Sequence, residues 1–230
     1  MAAITVDTPQ DTRTQSTALS VRRWFLVACP VLAGVFAVIG AYADPAQGLD
    51  GRELYELYGA NPDPLQFKSL GLHWSFAFWM APALLAVPYV RRKGAWLANI
   101  AAFIGFAGMT TLPGLLFIDF YDSAIAQEFG ADGALAVEAQ MSDMWGVAAL
   151  ALPGLVGFVV ALPLMAVAMW RAGLVRWWAP VAVVAGFVAF GMSSVSWWGC
   201  AITTACFAVF SLALERGTRS EKLEHVLVPG

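Results

Sequence analysis

GLHWSFAFWMAPALLAVPYV (Gly71–Val90), RRK (Arg91–Lys93) and, after Gly94, AWLANIAAFIGFAGMTTLPGLLFI (Ala95–Ile118) decide the fold of this chain. The first run is twenty residues with no formal charge beyond what His73 carries. The second is twenty-four residues, interrupted only by Asn99, Thr110, Thr111 and backbone glycines. A hydrocarbon core about 30 Å thick needs roughly 20 helical residues, so each run is long enough to cross it. The basic clip between them belongs on the cytoplasmic side, where juxtamembrane Lys and Arg are retained. One hairpin thus sets the orientation of the rest.

Composition agrees. Of 230 residues, 60% are hydrophobic and only 13% charged, against about 45–50% and 25% in a soluble domain. The expected architecture is all-α, a polytopic transmembrane helix bundle with no separate soluble domain. No basic patch lies outside the short inner turns, so nucleic acid is not an expected partner. Cys29, Cys200 and Cys206 lie in apolar segments without CxxC or zinc spacing, and read as small packing residues.

Working outward, the first apolar run is Trp24–Ala43, preceded by Arg22-Arg23. That dipeptide followed by Trp24-Phe25-Leu26 resembles a twin-arginine signal, with Ala41-Tyr42-Ala43 as a cleavage site. Leu26-Val27-Ala28-Cys29 reads like a lipoprotein box, but only five apolar residues separate Arg23 from Cys29 and the apolar run continues past it. A run of this length is a sufficient anchor, and the expectation is an uncleaved first helix. Beyond the central hairpin, residues 144–170 form a fourth span. The stretch 177–214 is too long for one crossing at 1.5 Å per residue. Ser193-Ser194-Val195-Ser196-Trp197-Trp198-Gly199 splits it into helices over 177–196 and 199–214.

The expectation is therefore six spans, at about 24–43, 71–90, 95–118, 144–170, 177–196 and 199–214, with both termini cytoplasmic. Residues 1–21 and 215–230 read as polar tails, the first unstructured. Residues 44–69 and 119–143 read as acidic external loops. In the first of these, Leu54, Leu57 and Tyr58 are spaced for a short amphipathic helix that Asn61-Pro62 would stop. In the second, Gly130-Ala131-Asp132-Gly133 reads as a turn. Ser142 or Asp143 is the expected N-cap of the fourth span. On this topology eleven of the thirteen basic residues fall inside and two, Arg52 and Lys68, outside; eleven of the sixteen acids fall outside.

Known intramembrane chemistries are incomplete here. A bis-histidine haem needs two intramembrane His, and this chain has His73 alone, since His225 is in the tail. Zinc hydrolysis needs three converging ligands. A retinal protein needs an intramembrane Lys, and every Lys is read as outside a span. Ser75 lies two residues from His73, so the two point apart on a helix. The candidate polar cluster is at the outer ends of the spans: His73, Asp119, Asp122, Asp44 and Asp143. Ionisable groups at membrane depth are functional candidates. The plainer reading makes Asp44 a helix terminator, Asp143 a cap and His73 an interfacial neighbour of Trp74. No catalytic residue, cofactor or metal is assigned.

The order of features resembles a group of uncharacterised six-helix membrane proteins common in high-GC actinobacteria. The resemblance rests on the Arg-flanked first helix, the acidic segment ending in Asn61-Pro62 and the His-bearing second span. It continues through Leu112-Pro113-Gly114 with Asp119, and through Trp170-Arg171-Ala172-Gly173-Leu174-Val175-Arg176-Trp177-Trp178-Ala179-Pro180. It spans residues 22–214 and implies the six-helix layout but no activity. The expected function is a non-catalytic accessory or interaction protein of the bacterial cytoplasmic membrane. Its expected partners are the lipid bilayer and other membrane subunits or a second copy. The competing expectation is a small carrier for a cation or lipophilic molecule, suggested by an acidic outer surface that concentrates cations.

Overall fold

The computed structural model describes residues 9–227, and all regular structure among them is helical. The helices are α1 (Pro9–Ala43), α2 (Gly51–Ala60), α3 (Pro62–Leu85), α4 (Ala95–Leu115), α5 (Ile118–Ser142), α6 (Trp145–Arg171), α7 (Trp178–Met192) and α8 (Trp197–Leu227). Five stretches are long and apolar enough to cross a membrane; they include most of α1 and all of α3, α4 and α6, together with α8 as far as Arg219. Helix α7 is apolar but has 15 residues, about 22 Å of helix.

The apolar stretch that contains α4 is continuous with α5 over 48 residues, about 72 Å if straight. Its apolar part ends with α4. Helix α5 carries Asp119, Asp122, Glu128, Asp132 and Glu138, too many charges for hydrocarbon.

Several boundaries differ from the sequence expectation. Residues 9–21, expected to be unstructured, continue α1, with no glycine or proline between Gln10 and the apolar run. Residues 1–8 lie outside the described residues. At the other end α8 is not a short span; it runs on to Leu227, and residues 228–230 lie outside the described residues. Its extension is held by Thr218 Oγ1 donating to the Leu214 carbonyl at 2.7 Å and by Arg219 paired with Glu215 at 2.9 Å.

The two segments expected to be external loops, 44–69 and 119–143, are largely helical. Asn61 ends α2 and is the one residue before α3, which starts at Pro62 with proline in its first turn. Residues 62–70 therefore belong to the same helix as the second apolar run, long and apolar enough to cross a membrane. Helix α5 folds back at Gly130, whose φ of 72° is a left-handed conformation that glycine adopts without a Cβ clash. Asp143 does not cap α6. It lies at the C-terminal end of α5, and Met144 precedes α6 with no side-chain cap.

The bundle core is aromatic. Trp79 of α3 is fully buried, with Phe158 (α6) and Phe207 (α8) each 4.5 Å away between ring centroids and Phe190 (α7) at 5.3 Å. Small residues allow the helices this close. A Cβ on Gly157 would meet Gly108 Cα at 2.4 Å, and one on Gly71 would meet Gly40 N at 2.6 Å. Hydroxyls cross between helices as well. Ser75 donates to the Ala33 carbonyl at 2.8 Å, and Thr203 to the Gly186 carbonyl at 2.9 Å. Interhelical hydrogen bonds of this kind supply glue that apolar contact alone does not in lipid. Helices α7 and α8 are separated by a turn in which Ser194 and Val195 have φ of 49° and 59°.

Candidate functional site

The head of α3 presents Leu65, Lys68, Ser69 and Leu72 on one buried stripe, at i, i+3, i+4 and i+7. Helix α5 faces it with Asp119, Ser123 and Ala126, also buried. Where the two stripes meet, Lys68 Nζ lies 3.0 Å from Asp119 Oδ2, with each side chain about a tenth exposed (11% and 10%). Ser69 Oγ donates to the same carboxylate oxygen at 2.6 Å. Lys68 also donates to the Tyr58 hydroxyl of α2 at 2.6 Å. Nζ is 4.8 Å from the Tyr58 ring centroid. With the hydroxyl so much nearer, the oxygen rather than the ring face is the partner. Ser123 Oγ closes the circuit by donating to the Tyr58 carbonyl at 2.8 Å, and Gln127 donates to Ser123 at 3.0 Å.

Three helices are thus pinned together by one network around a buried ion pair. Lys68 and Asp119 are the charged residues buried among those described. Taking an ion out of water costs several kcal/mol unless a close partner and hydrogen bonds compensate. Here both are present. Burial also pushes the Tyr58 hydroxyl above its ordinary range, against the opposing effect of Lys68.

A second acidic patch adjoins the first. Asp122, one turn beyond Asp119, is pushed up to about 6, chiefly by burial and then by the charges of Asp119 and Glu138. Tyr55 of α2 is raised by burial first, then by Asp122 and Glu138. The fold at Gly130 is what brings Glu138, on the returning arm of α5, to the same place as Asp122. At the periphery Arg52 of α2 pairs with Asp132 near that fold and holds its carboxyl below the usual carboxylate range. Tyr55, Ala126, Ala131 and Ala134 pack beneath. Helices α2 and α5 therefore form a small cap seated on the head of α3.

The residues expected to cluster do so only in part. Asp119 and Asp122 are in the cap. His73 turns to α4 instead: its Nδ1 is 2.9 Å from the Pro113 carbonyl, with the ring edge-on to Trp74 at 5.5 Å. A carbonyl only accepts, so Nδ1 carries the proton in this contact. One of the last carbonyls of α4, which has no further helical turn to bond, gains a donor. Asp44 accepts from its own loop, Ala46 N to Oδ1 at 3.0 Å, and ends α1. Asp143 is exposed.

Lys68 is the residue the sequence reading passed over, having been counted as an external charge and not as part of a span. Its signal was the 65/68/69/72 stripe, which becomes visible once Asn61-Pro62 is read as a helix start. No protein family, no curated protein and no solved structure matches the chain. Among the described residues no group of three or more His, Cys, Asp and Glu is arranged to hold a metal ion. Chemically, Lys68 and Asp119 compensate each other's charge, Asp119 accepting a further hydrogen bond from Ser69 and Lys68 donating one to Tyr58.

Proposed function

We propose that this is a six-span, non-catalytic protein of the cytoplasmic membrane, with both termini inside and the α2/α5 cap outside as its contact surface for another membrane component. The observation that carries this reading is the Lys68–Asp119 pair. The buried charges are closed on each other, on Ser69 and on Tyr58, and their effect is to fix the cap to the bundle. A carrier for cations needs an ionisable group at mid-depth, and the buried charges described lie at one end of α3 and α5. The sixth crossing is α7. Its 15 helical residues gain length from Trp177 before it and the Ser193–Ser196 turn after it.

Two measurements test the reading. Topology reporters fused after Gly94 or Gly173 are expected to report cytoplasm, and those after Gly59, Gly133 or Gly199 the outside. A cytoplasmic signal at Gly199 removes the sixth span. A photo-crosslinker at exposed Glu128 or Gln140 of the cap is expected to give a discrete adduct in native membranes. That adduct should weaken with Arg52→Glu, which repels Asp132. Cation flux through the purified monomer in sealed vesicles would sink the non-catalytic contact role in favour of a carrier.

A further inference from the structure

On the side away from the cap end, helices α1 and α8 leave an open groove of about 420 Å³ between them. Its walls are Trp24, Val27, Ala28 and Val31 on one helix and Ala208 and Leu212 on the other. Both helices are long and apolar enough to span, so the groove opens toward hydrocarbon. Its length is informative. From Trp24 to Leu32 is eight helical steps, about 12 Å, close to the roughly 15 Å depth of one leaflet. The deep end is closed where the helices touch: a Cβ on Gly34 would fall 2.5 Å from Thr204 Oγ1.

The shallow end is polar and cationic. Glu215 lies at the mouth, already neutralised by Arg219 one turn further along at 2.9 Å. Arg219 keeps most of its side chain exposed, at 64%. On the facing helix the Arg23 guanidinium lies 6.0 Å from the Trp24 ring centroid, and Arg22 beside it is exposed. A slot for one apolar chain, one leaflet deep and ending under basic side chains, has the charge and length of an anionic phospholipid.

We infer that the α1/α8 groove is a binding site for one anionic phospholipid, its acyl chain along Val27–Val31 and its phosphate held by Arg23, beside the neutral Glu215–Arg219 pair. The site rests on α1 and α8 being spans, but not on the cap or its partner.

The test uses the full chain, purified in detergent, delipidated and titrated with dioleoyl-phosphatidylglycerol or dioleoyl-phosphatidylcholine under native mass spectrometry. One phosphatidylglycerol is expected to bind about fivefold more tightly than phosphatidylcholine, the ratio for one free basic side chain near a membrane surface. Arg23→Gln should bring the two lipids level. Ala28→Trp, which fills the slot, should remove the tight site; Ala208→Leu does so from the other wall should the first variant not fold. Equal binding of the two lipids by the wild type overturns the inference, as does a phosphatidylglycerol preference that survives both wall variants. A chain that binds neither lipid and partitions away from membranes would instead remove the reading of α1 and α8 as spans.

Discussion

Breaking the buried ion pair from one side, then from both, gives the most decisive test of the cap. At 3.0 Å and an effective dielectric of about 20, the attraction of two unit charges is about 5–6 kcal/mol. The desolvation of both ions offsets most of it, so the pair's net contribution is small. Removing one partner is different, because the other charge stays buried. Lys68→Met leaves the Asp119 carboxylate with only Ser69 as donor, and Asp119→Leu leaves the Lys68 ammonium with only Tyr58. Each single variant is expected to lose about 3–5 kcal/mol. The double variant, Lys68→Met with Asp119→Leu, should recover to within about 2 kcal/mol of the wild type, far short of the 6–10 kcal/mol sum. Unfolding in mixed micelles, followed by tryptophan fluorescence, measures all four corners of the cycle. Single losses below about 1 kcal/mol, or a double variant that matches the sum, would refute the idea of a pin closed on itself.

Three further outcomes follow from the same contacts. Asp122 titrates near 6 in the folded chain against an ordinary 3.8. Its protonated form therefore adds stability that is complete below about pH 4 and lost as pH rises through 6. Asp122→Asn should exceed the wild type by about 1–3 kcal/mol at pH 7.5 and match it at pH 4; equal unfolding curves at both pH values would contradict this. Ser194 is exposed and held at φ 49°, where a left-handed backbone costs about 1–2 kcal/mol. Ser194→Gly should gain roughly 0.5–1 kcal/mol after glycine's own entropy loss, read as a higher unfolding midpoint. His73→Ala should lose about 1 kcal/mol through the Pro113 carbonyl it leaves without a donor, and His73→Asn should recover part of that loss; no change in midpoint for the alanine variant would remove the capping role.

The central hairpin was legible because its evidence is local: two apolar runs and Arg91-Arg92-Lys93 need no tertiary information. So was the split near Ser193, since 177–214 is too long for one crossing. The cap was not. Its parts, Tyr55, Lys68, Asp119 and Glu138, lie on three helices, and only the fold at Gly130 and the docking of α2 bring them together. Charge counting also worked against it. Lys68 is polar and near a helix end, so it scored as solvent-facing, while its i, i+3, i+4, i+7 neighbours Leu65, Ser69 and Leu72 placed it inward. Asp119 and His73 looked like partners because both sit at outer helix ends, but the rotation of α3 sends His73 to Pro113 and Lys68 to Asp119.

The spacing of the ion pair along the chain has a consequence for how the protein is made. Lys68 and Ser69 are synthesised some fifty residues before Asp119, an interval of about 3–10 s at usual translation speeds. Until then the head of α3 carries a lone cation with no carboxylate to meet it. Only when α4 has been made and α5 has come back beside the head of α3 does that charge acquire its partner, and with it α2 its seat. Formation of the cap thus reports that α3 and α4 have closed into a hairpin, and a chain in which α4 failed to turn back along α3 would leave Lys68 with nothing to close on.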